Sequence, residues 1–486
     1  MIRASVLSNY LGKILMLIGG AMLLCLPLCL YYHEDVWRGF LLSGLITLAV
    51  GATAIWYGER PEEGFTYKEG FVIVSLGWLL VSVFGALPYI FTGTAASIAD
   101  AFFESTSGFT TTGATVYGDV EALPLGILFW RAMTSWLGGM GIIALFVAVI
   151  AGVGARANQI FRAEVPGLPV DKLSPRMQEN AKLLWKTYIA LTVVLFLLLW
   201  AAGMNAFDAV CHAFCTICTG GFSTQNTSFA AYSPLIQWIT IAFMFIGGVN
   251  FSLHYLFASR HKLSVYGKNE EFRMFALLTV GAAALVGVSL VIGNTGGTAG
   301  GGVPVRLALF EVLATITTTG FTVGDYDAWP ELARYVLFLL MFIGACAGST
   351  SGNMKVGRHL IMLKRGAVEL KQMVHPRSVH TVKINGETVS EAKVLNVLQF
   401  FFLYFFIAAV ATMVLVICDG LNVYTGMTGA VAALGNIGPA TGVLGPTANY
   451  GFLSVVSKYV LALTMIVGRL EIFPVLLLFV PEFWRR

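Results

Sequence analysis

The sequence predicts an all-α integral membrane protein. In it, a span, a short re-entrant helix, a turn and a second span recur four times around a pseudo-fourfold axis, after two extra N-terminal transmembrane helices. Three observations predict this. Charged residues make up 12% of the chain and hydrophobic ones 57%, against about 25% charged in an average soluble domain; 486 residues with so few charges cannot cover a water-facing surface. Apolar runs of about 20 residues, the length a helix needs to cross hydrocarbon, recur along the whole chain. Four of the links between them carry a shorter semi-apolar stretch that ends in a Gly/Thr-rich turn.

The first apolar run, 11–31, is expected to be a membrane helix and not a cleaved leader. No small-residue cleavage site follows it, and another apolar run begins at Phe40. The remaining candidate spans are 39–57, 70–93, 123–152, 184–203, 233–257, 273–293, 332–362, 395–418 and 453–480, which makes about ten in all. Lys and Arg concentrate in alternate links: Arg156, Arg162, Lys172, Arg176, Lys182 and Lys186, then Arg260, Lys262, Lys268 and Arg273, then Lys364, Arg365, Lys371, Arg377, Lys383 and Lys393, with Arg485 and Arg486 at the end. The opposite links are poor in cations, Arg38, Arg306 and Arg334 being the main exceptions. The positive-inside tendency makes the basic side cytoplasmic, with both termini on it. The organisation expected is residues 1–66 for the two N-terminal spans, then repeats at 67–160, 178–262, 270–366 and 392–486.

The short stretches lie at 100–109, 207–216, 305–316 and 425–434, too short to span. The turns after them read Thr110-Thr111-Thr112-Gly113, Ile217-Cys218-Thr219-Gly220, Thr317-Thr318-Thr319-Gly320 and Gly435-Asn436-Ile437-Gly438. Aligned on the last glycine, successive turns are 107, 100 and 118 residues apart, and Glu104 and Glu311 both stand nine residues before it. One Thr-Gly pair in a membrane helix is most often a packing contact. Four in register within one chain are not a coincidence of composition.

Irregular backbone at membrane depth is tolerated where it is buried in protein or lines a water-filled cavity. A short helix ending at each turn aims its partial negative charge at a common axis, and glycine lets successive carbonyls face one way. Such a carbonyl ring can replace the hydration shell of a weakly hydrated monovalent cation. No carboxylate sits in the turns themselves. Other chemistries find little footing. Cys211, His212, Cys215 and Cys218 lie at helical spacing without a second ligand pair, unlike a four-ligand zinc site, so His212 is expected at a packing contact. The seven cysteines sit mostly in apolar runs and read as free thiols. A net charge of +4 is too small for a nucleic-acid surface, and neither a phosphate-binding loop nor a nucleophile motif is present.

The four turns in this setting resemble the Trk/Ktr/HKT superfamily of potassium transporters, and the two extra N-terminal spans point to its bacterial TrkH branch. The resemblance implies a potassium-selective uptake subunit, not an enzyme. Its filter would be made of Thr111, Thr112, Gly113, Cys218, Thr219, Gly220, Thr318, Thr319, Gly320, Asn436, Ile437 and Gly438. It implies potassium ions in that filter, with rubidium tolerated, as the only metal and no covalently bound cofactor. It implies, too, that Gly113 favours potassium over sodium.

Gly348-Ser349-Thr350-Ser351-Gly352-Asn353, in the middle of the 332–362 span, matches the family's intramembrane gating loop. Arg469 matches a barrier below the filter; a charge at that depth is costly and is by default functional, although pairing with Glu471 or with a backbone carbonyl is the structural alternative. Glu471, two residues on, is expected to pair with another helix. The resemblance further implies a homodimer in the bacterial inner membrane and a cytosolic nucleotide-binding regulatory subunit of the TrkA type, because the inward links are too short for a Rossmann unit. A symporter coupled to protons or sodium is the competing reading, with Glu104, Glu311 and Glu471 as its candidate relay groups.

Overall fold

The computed structural model describes residues 2–59, 66–141, 177–293, 303–376 and 380–485. The end of the expected 123–152 span lies outside the described residues, as do Arg156, Arg162, Lys172, Arg176, Arg377 and Arg486. Six described helices are long and apolar enough to cross a membrane: Ala4–Tyr31, Trp37–Tyr57, Lys68–Phe91, Lys182–Ala201, Glu270–Ile292 and Glu391–Asp419. The first two form a hairpin packed backbone to backbone. A side-chain carbon on Gly12 would lie 2.7 Å from Gly51 O and one on Gly51 2.9 Å from Gly12 O, and Gly19 and Gly44 repeat that closeness one heptad away. Small residues at such spacing let membrane helices approach without a hydrophobic drive between them. The hairpin docks on the rest through Glu34, whose carboxylate accepts from the backbone N–H groups of Leu125 (2.6 Å) and Gly126 (2.9 Å) at the positive start of the Leu125–Gly139 helix.

The other four long helices each introduce a short helix: Ile98–Phe109, Ala206–Ile217, Pro304–Ile316 and Val423–Leu434. Three of the four are capped by a side-chain oxygen, from Ser97, Asn205 and Asn422, and the third begins with Pro304, which lacks the N–H that a cap would satisfy. Each short helix is buried along nearly its whole length. The inner helices that follow are Leu125–Gly139, Pro234–Gly248, Glu331–Leu340 and Val455–Arg469. The first packs on the second short helix, the second on the third, and the fourth on the first, and Phe338 of the third meets Tyr424 of the fourth short helix with rings 5.8 Å apart, so the repeats close into a ring.

Three expected spans are not continuous helices. The 233–257 span bends by 100° between Pro234–Gly248 and Phe251–Arg260, and the 453–480 span bends by 112° after Arg469. The 332–362 span is a helix to Leu340, a non-helical segment at 341–355, and a second helix, Val356–Val374. Arg469 therefore sits at the end of a helix, at the break within that span. Inner helices stop where they meet the ends of short helices. Side chains on Gly138 and Gly468 would run into the Phe109 and Leu434 carbonyls, which glycine alone permits. Beyond Arg469 the chain turns through positive φ at Glu471 (54°) and Ile472 (69°), a backbone state unusual for a β-branched residue. All seven cysteines are free.

Candidate functional site

The four short helices end at Thr110, Cys218, Thr317 and Gly435, and each turn then repeats one backbone pattern. A non-glycine residue at positive φ is followed two residues later by a glycine at positive φ: Thr111 (55°) and Gly113 (80°), Thr219 (54°) and Gly221 (73°), Thr318 (56°) and Gly320 (74°), Asn436 (54°) and Gly438 (99°). The residue between each pair donates its N–H back to the last helical turn over 2.8 Å, as Thr112 to Ser107 O, Gly220 to Cys215 O, Thr319 to Ala314 O and Ile437 to Ala432 O. This register differs from the sequence alignment in one place. The counterpart of Gly113 in the second repeat is Gly221, one residue later than Gly220, and Cys218 is the helix cap that matches Thr110, Thr317 and Gly435. Thr219, Gly220 and Gly221 therefore replace Cys218, Thr219 and Gly220 as the matching triplet.

The turns face one another in sequence order. A side-chain carbon on Gly113 would lie 2.7 Å from Gly220 O, those on Gly221 and Gly320 would run into Thr319 O and Ile437 O, and one on Gly438 would lie 2.5 Å from Thr112 O. Each glycine abuts the carbonyl just before the next glycine, and the fourth returns to the first. A ring this tight needs glycine at all four positions, for both φ and space.

Buried side chains stiffen the turns from behind. Glu104 accepts from Thr115 Oγ1 (3.1 Å) and Val116 N (3.0 Å), and Glu311 accepts from Thr322 Oγ1 (2.7 Å) and Val323 N (2.8 Å). In the corrected register His212 occupies the same position, nine residues before Gly221, and its Nε2 meets Ser223 Oγ at 3.0 Å while Nδ1 meets Asp208 O at 2.8 Å. His212 is thus a strut across the second turn. Glu104 also pairs with Arg131 at 2.7 Å, both fully buried, and Arg131 reaches Ser223 O of the second repeat at 3.2 Å. Struts of this kind satisfy groups whose desolvation would otherwise be costly.

Directly against the turns lies the 341–355 segment. Thr350 Oγ1 donates to Ile217 O (2.9 Å), Thr318 Oγ1 accepts from Gly352 N (2.7 Å), and a carbon on Gly352 would lie 2.5 Å from Gly435 O. Asn353 closes the segment on itself by donating to Met341 O (2.7 Å) and ties it to the Glu391–Asp419 helix by accepting from the Tyr404 hydroxyl (3.0 Å), and Ser349 Oγ meets Ser351 Oγ at 3.0 Å. Gly348 turns at φ 74° and its carbonyl accepts from Phe251 N at 3.0 Å, at the bend of the second inner helix. Arg469 donates to Thr350 O (2.8 Å), Gly138 O (2.8 Å) and Gly139 O (2.9 Å), linking the segment to the end of the first inner helix. Glu471 pairs with Arg358 of the Val356–Val374 helix. The sequence reading passed over Lys355, which is buried and donates to Ser351 O, Ser351 Oγ (3.3 Å) and Gly352 O (3.3 Å). The signal that could have found it is a lone cation directly after the small-residue run, before the amphipathic helix begins.

A family model described as TrkH, cation transport protein, matches residues 38–486. The Trk system potassium uptake protein TrkH of Escherichia coli (strain K12) is 39% identical over 483 residues, 99% of each chain. The Trk system potassium uptake protein TrkG of the same organism is 32% identical over 488 residues, 99% of this chain and 98% of its own. The crystal structure of the potassium transporter TrkH from Vibrio parahaemolyticus superposes with a TM-score of 0.89 at 36% identity over the whole of both chains.

Proposed function

The chain belongs to the TrkH family of cation transport proteins, and on that premise we propose that it is the potassium-translocating subunit of a Trk-type uptake system. It is a transport protein and not an enzyme. The ring of four turns is the selectivity filter. Four short helices aim their C-terminal ends at it, each contributing about half an elementary negative charge, and the carbonyls of the ring stand in for the hydration shell of potassium or rubidium. The observation that carries this reading is the closure of the ring, glycine against carbonyl, through all four repeats.

Passage is channel-like. The 341–355 segment, including Gly348, Ser349, Thr350, Ser351, Gly352 and Asn353, is the gate on one side of the filter, and its contacts with Thr318 and Ile217 O are those a closed gate would make. Arg469 adds an electrostatic barrier and holds Thr350 O in place. The pairing of Glu104 with Arg131 and of Glu471 with Arg358 supports structural roles for these carboxylates over proton relay. The protein works as a homodimer in the bacterial inner membrane with both termini in the cytoplasm. Its basic inward links dock a cytosolic nucleotide-binding subunit that moves the gate.

The test is rubidium uptake into proteoliposomes that hold only this chain, competed with potassium or sodium. Competition by potassium but not sodium, without ATP or a proton gradient, is expected. Uptake that appears only when a proton or sodium gradient is imposed would replace the channel with a coupled carrier.

A further inference from the structure

The four turns are not held alike. In the first three repeats a side chain nine residues before the ring glycine reaches one two residues after it: Glu104 to Thr115, His212 to Ser223 and Glu311 to Thr322. The fourth repeat has Gly429 and Ala440 at those positions, so neither residue can form the strut. Thr428 Oγ1 and Thr441 Oγ1 meet at 2.8 Å one step away, a strut wider by one residue at each end.

Two phenols hold the carbonyls of this turn directly. The Tyr450 hydroxyl donates to Gly438 O at 2.8 Å, and the Tyr326 hydroxyl donates to Ala440 O at 2.6 Å. Tyr450 is itself anchored on the first repeat: its N–H donates to Thr115 O at 2.8 Å, and its ring lies 5.5 Å from that of Phe103. Tyr326 comes from the third repeat, beside Asp327, whose carboxylate accepts from Gly442 N at 2.6 Å. The fourth turn therefore carries, beside its wider strut, two phenols on its carbonyls, one anchored on the first repeat and one supplied by the third.

We propose that Tyr450, seconded by Tyr326, is a positioning residue for ion selectivity that sets the direction of the Gly438 carbonyl in the filter. The proposal rests on the filter reading above. Among the ring glycines Gly438 has the widest φ, 99° against 73–80° in the others, so its peptide plane is turned differently from its counterparts. A carbonyl oxygen has two lone pairs; the phenol occupies one and fixes the direction of the other. Without it the oxygen is free to swing toward a smaller ion, and the ring loses discrimination in that quadrant.

The experiment measures sodium against rubidium uptake in proteoliposomes for Tyr450→Phe, Tyr326→Phe, Tyr89→Phe and Gly320→Ala. Tyr450→Phe keeps the ring contact with Phe103 and the backbone bond to Thr115, and removes only the hydroxyl. One neutral hydrogen bond corresponds to a change of about threefold to tenfold in the sodium-to-rubidium ratio, with a smaller change for Tyr326→Phe. Tyr89 is fully buried and its hydroxyl has no hydrogen-bond partner among the described residues, so Tyr89→Phe reports the effect of losing a buried phenol that bonds to no turn carbonyl and is expected to leave the ratio unchanged. A ratio moved by Gly320→Ala but not by Tyr450→Phe or Tyr326→Phe overturns the clamp alone. A ratio unmoved by Gly320→Ala removes the filter reading itself. Because the readout is a ratio, a variant that merely inserts less protein does not imitate the expected result.

Discussion

Alanine at Gly221 is expected to destroy selective uptake, and alanine at its neighbour Gly220 to disturb it far less. A Cβ at Gly221 would run into the Thr319 carbonyl, which belongs to the ring, and the backbone there holds φ at +73°. The left-handed conformation costs an L-residue about 1–2 kcal/mol, and forcing a methyl into a filled site costs about 1–3 kcal/mol more. The total of about 2–5 kcal/mol shifts the balance between intact and displaced ring by roughly 30-fold to 5,000-fold, at about 1.4 kcal/mol per tenfold. At Gly220 a Cβ meets Cys218 Sγ at 2.7 Å and Ser135 Cβ at 2.9 Å, side-chain atoms behind the turn, and φ is not positive. The assay is rubidium uptake competed with sodium, normalised to protein in the vesicle. Loss of selectivity in Gly220→Ala with none in Gly221→Ala would refute the register and restore Gly220 as the counterpart of Gly113.

Three further outcomes are expected. Arg469→Ala raises flux: repulsion between unit charges 4 Å apart at an effective dielectric of 20 is about 4 kcal/mol, on the order of a thousandfold in rate, and unchanged rubidium flux would return Arg469 to a purely structural role. Gly113→Ser lowers potassium selectivity, since its Cβ would sit 2.7 Å from Gly220 O at a φ of +80°; sodium that still fails to compete with rubidium would take Gly113 out of the filter. Glu104→Gln leaves the buried Arg131 without its counter-charge, at a cost of about 3–5 kcal/mol, read as a fall in unfolding temperature that the added change Arg131→Met largely reverses.

Much of the fold and of the candidate site was legible in the residues, for identifiable reasons. Apolar runs and cation-rich links mark membrane helices because hydrocarbon excludes charge. The recurring turns stood out because each ends in a glycine, at a positive φ and with a carbonyl too close for any side chain. Glu104 and Glu311 stood out because a buried carboxylate must be matched by donors. Glycine-220 and glycine-221 could not be told apart that way, since both are glycine. The clue was His212, which aligns with the two glutamates only in the corrected register and looks unlike them in chemistry.

The sequence by itself determined the solvent, the repeat number and the residue types at the turns, because these follow from transfer energies and backbone sterics that act locally. Tertiary structure decided the register of the second turn, through Gly221 abutting the Thr319 carbonyl and Gly113 abutting the Gly220 carbonyl. It decided the breaks in the inner helices, because hydropathy counts apolar atoms and does not see a neighbouring helix end at Phe109 or Leu434. It also gave Arg469 and Tyr450 backbone carbonyls as partners. Carbonyls are present at every position of every sequence, so which of them a buried donor finds is settled only when distant segments are packed together.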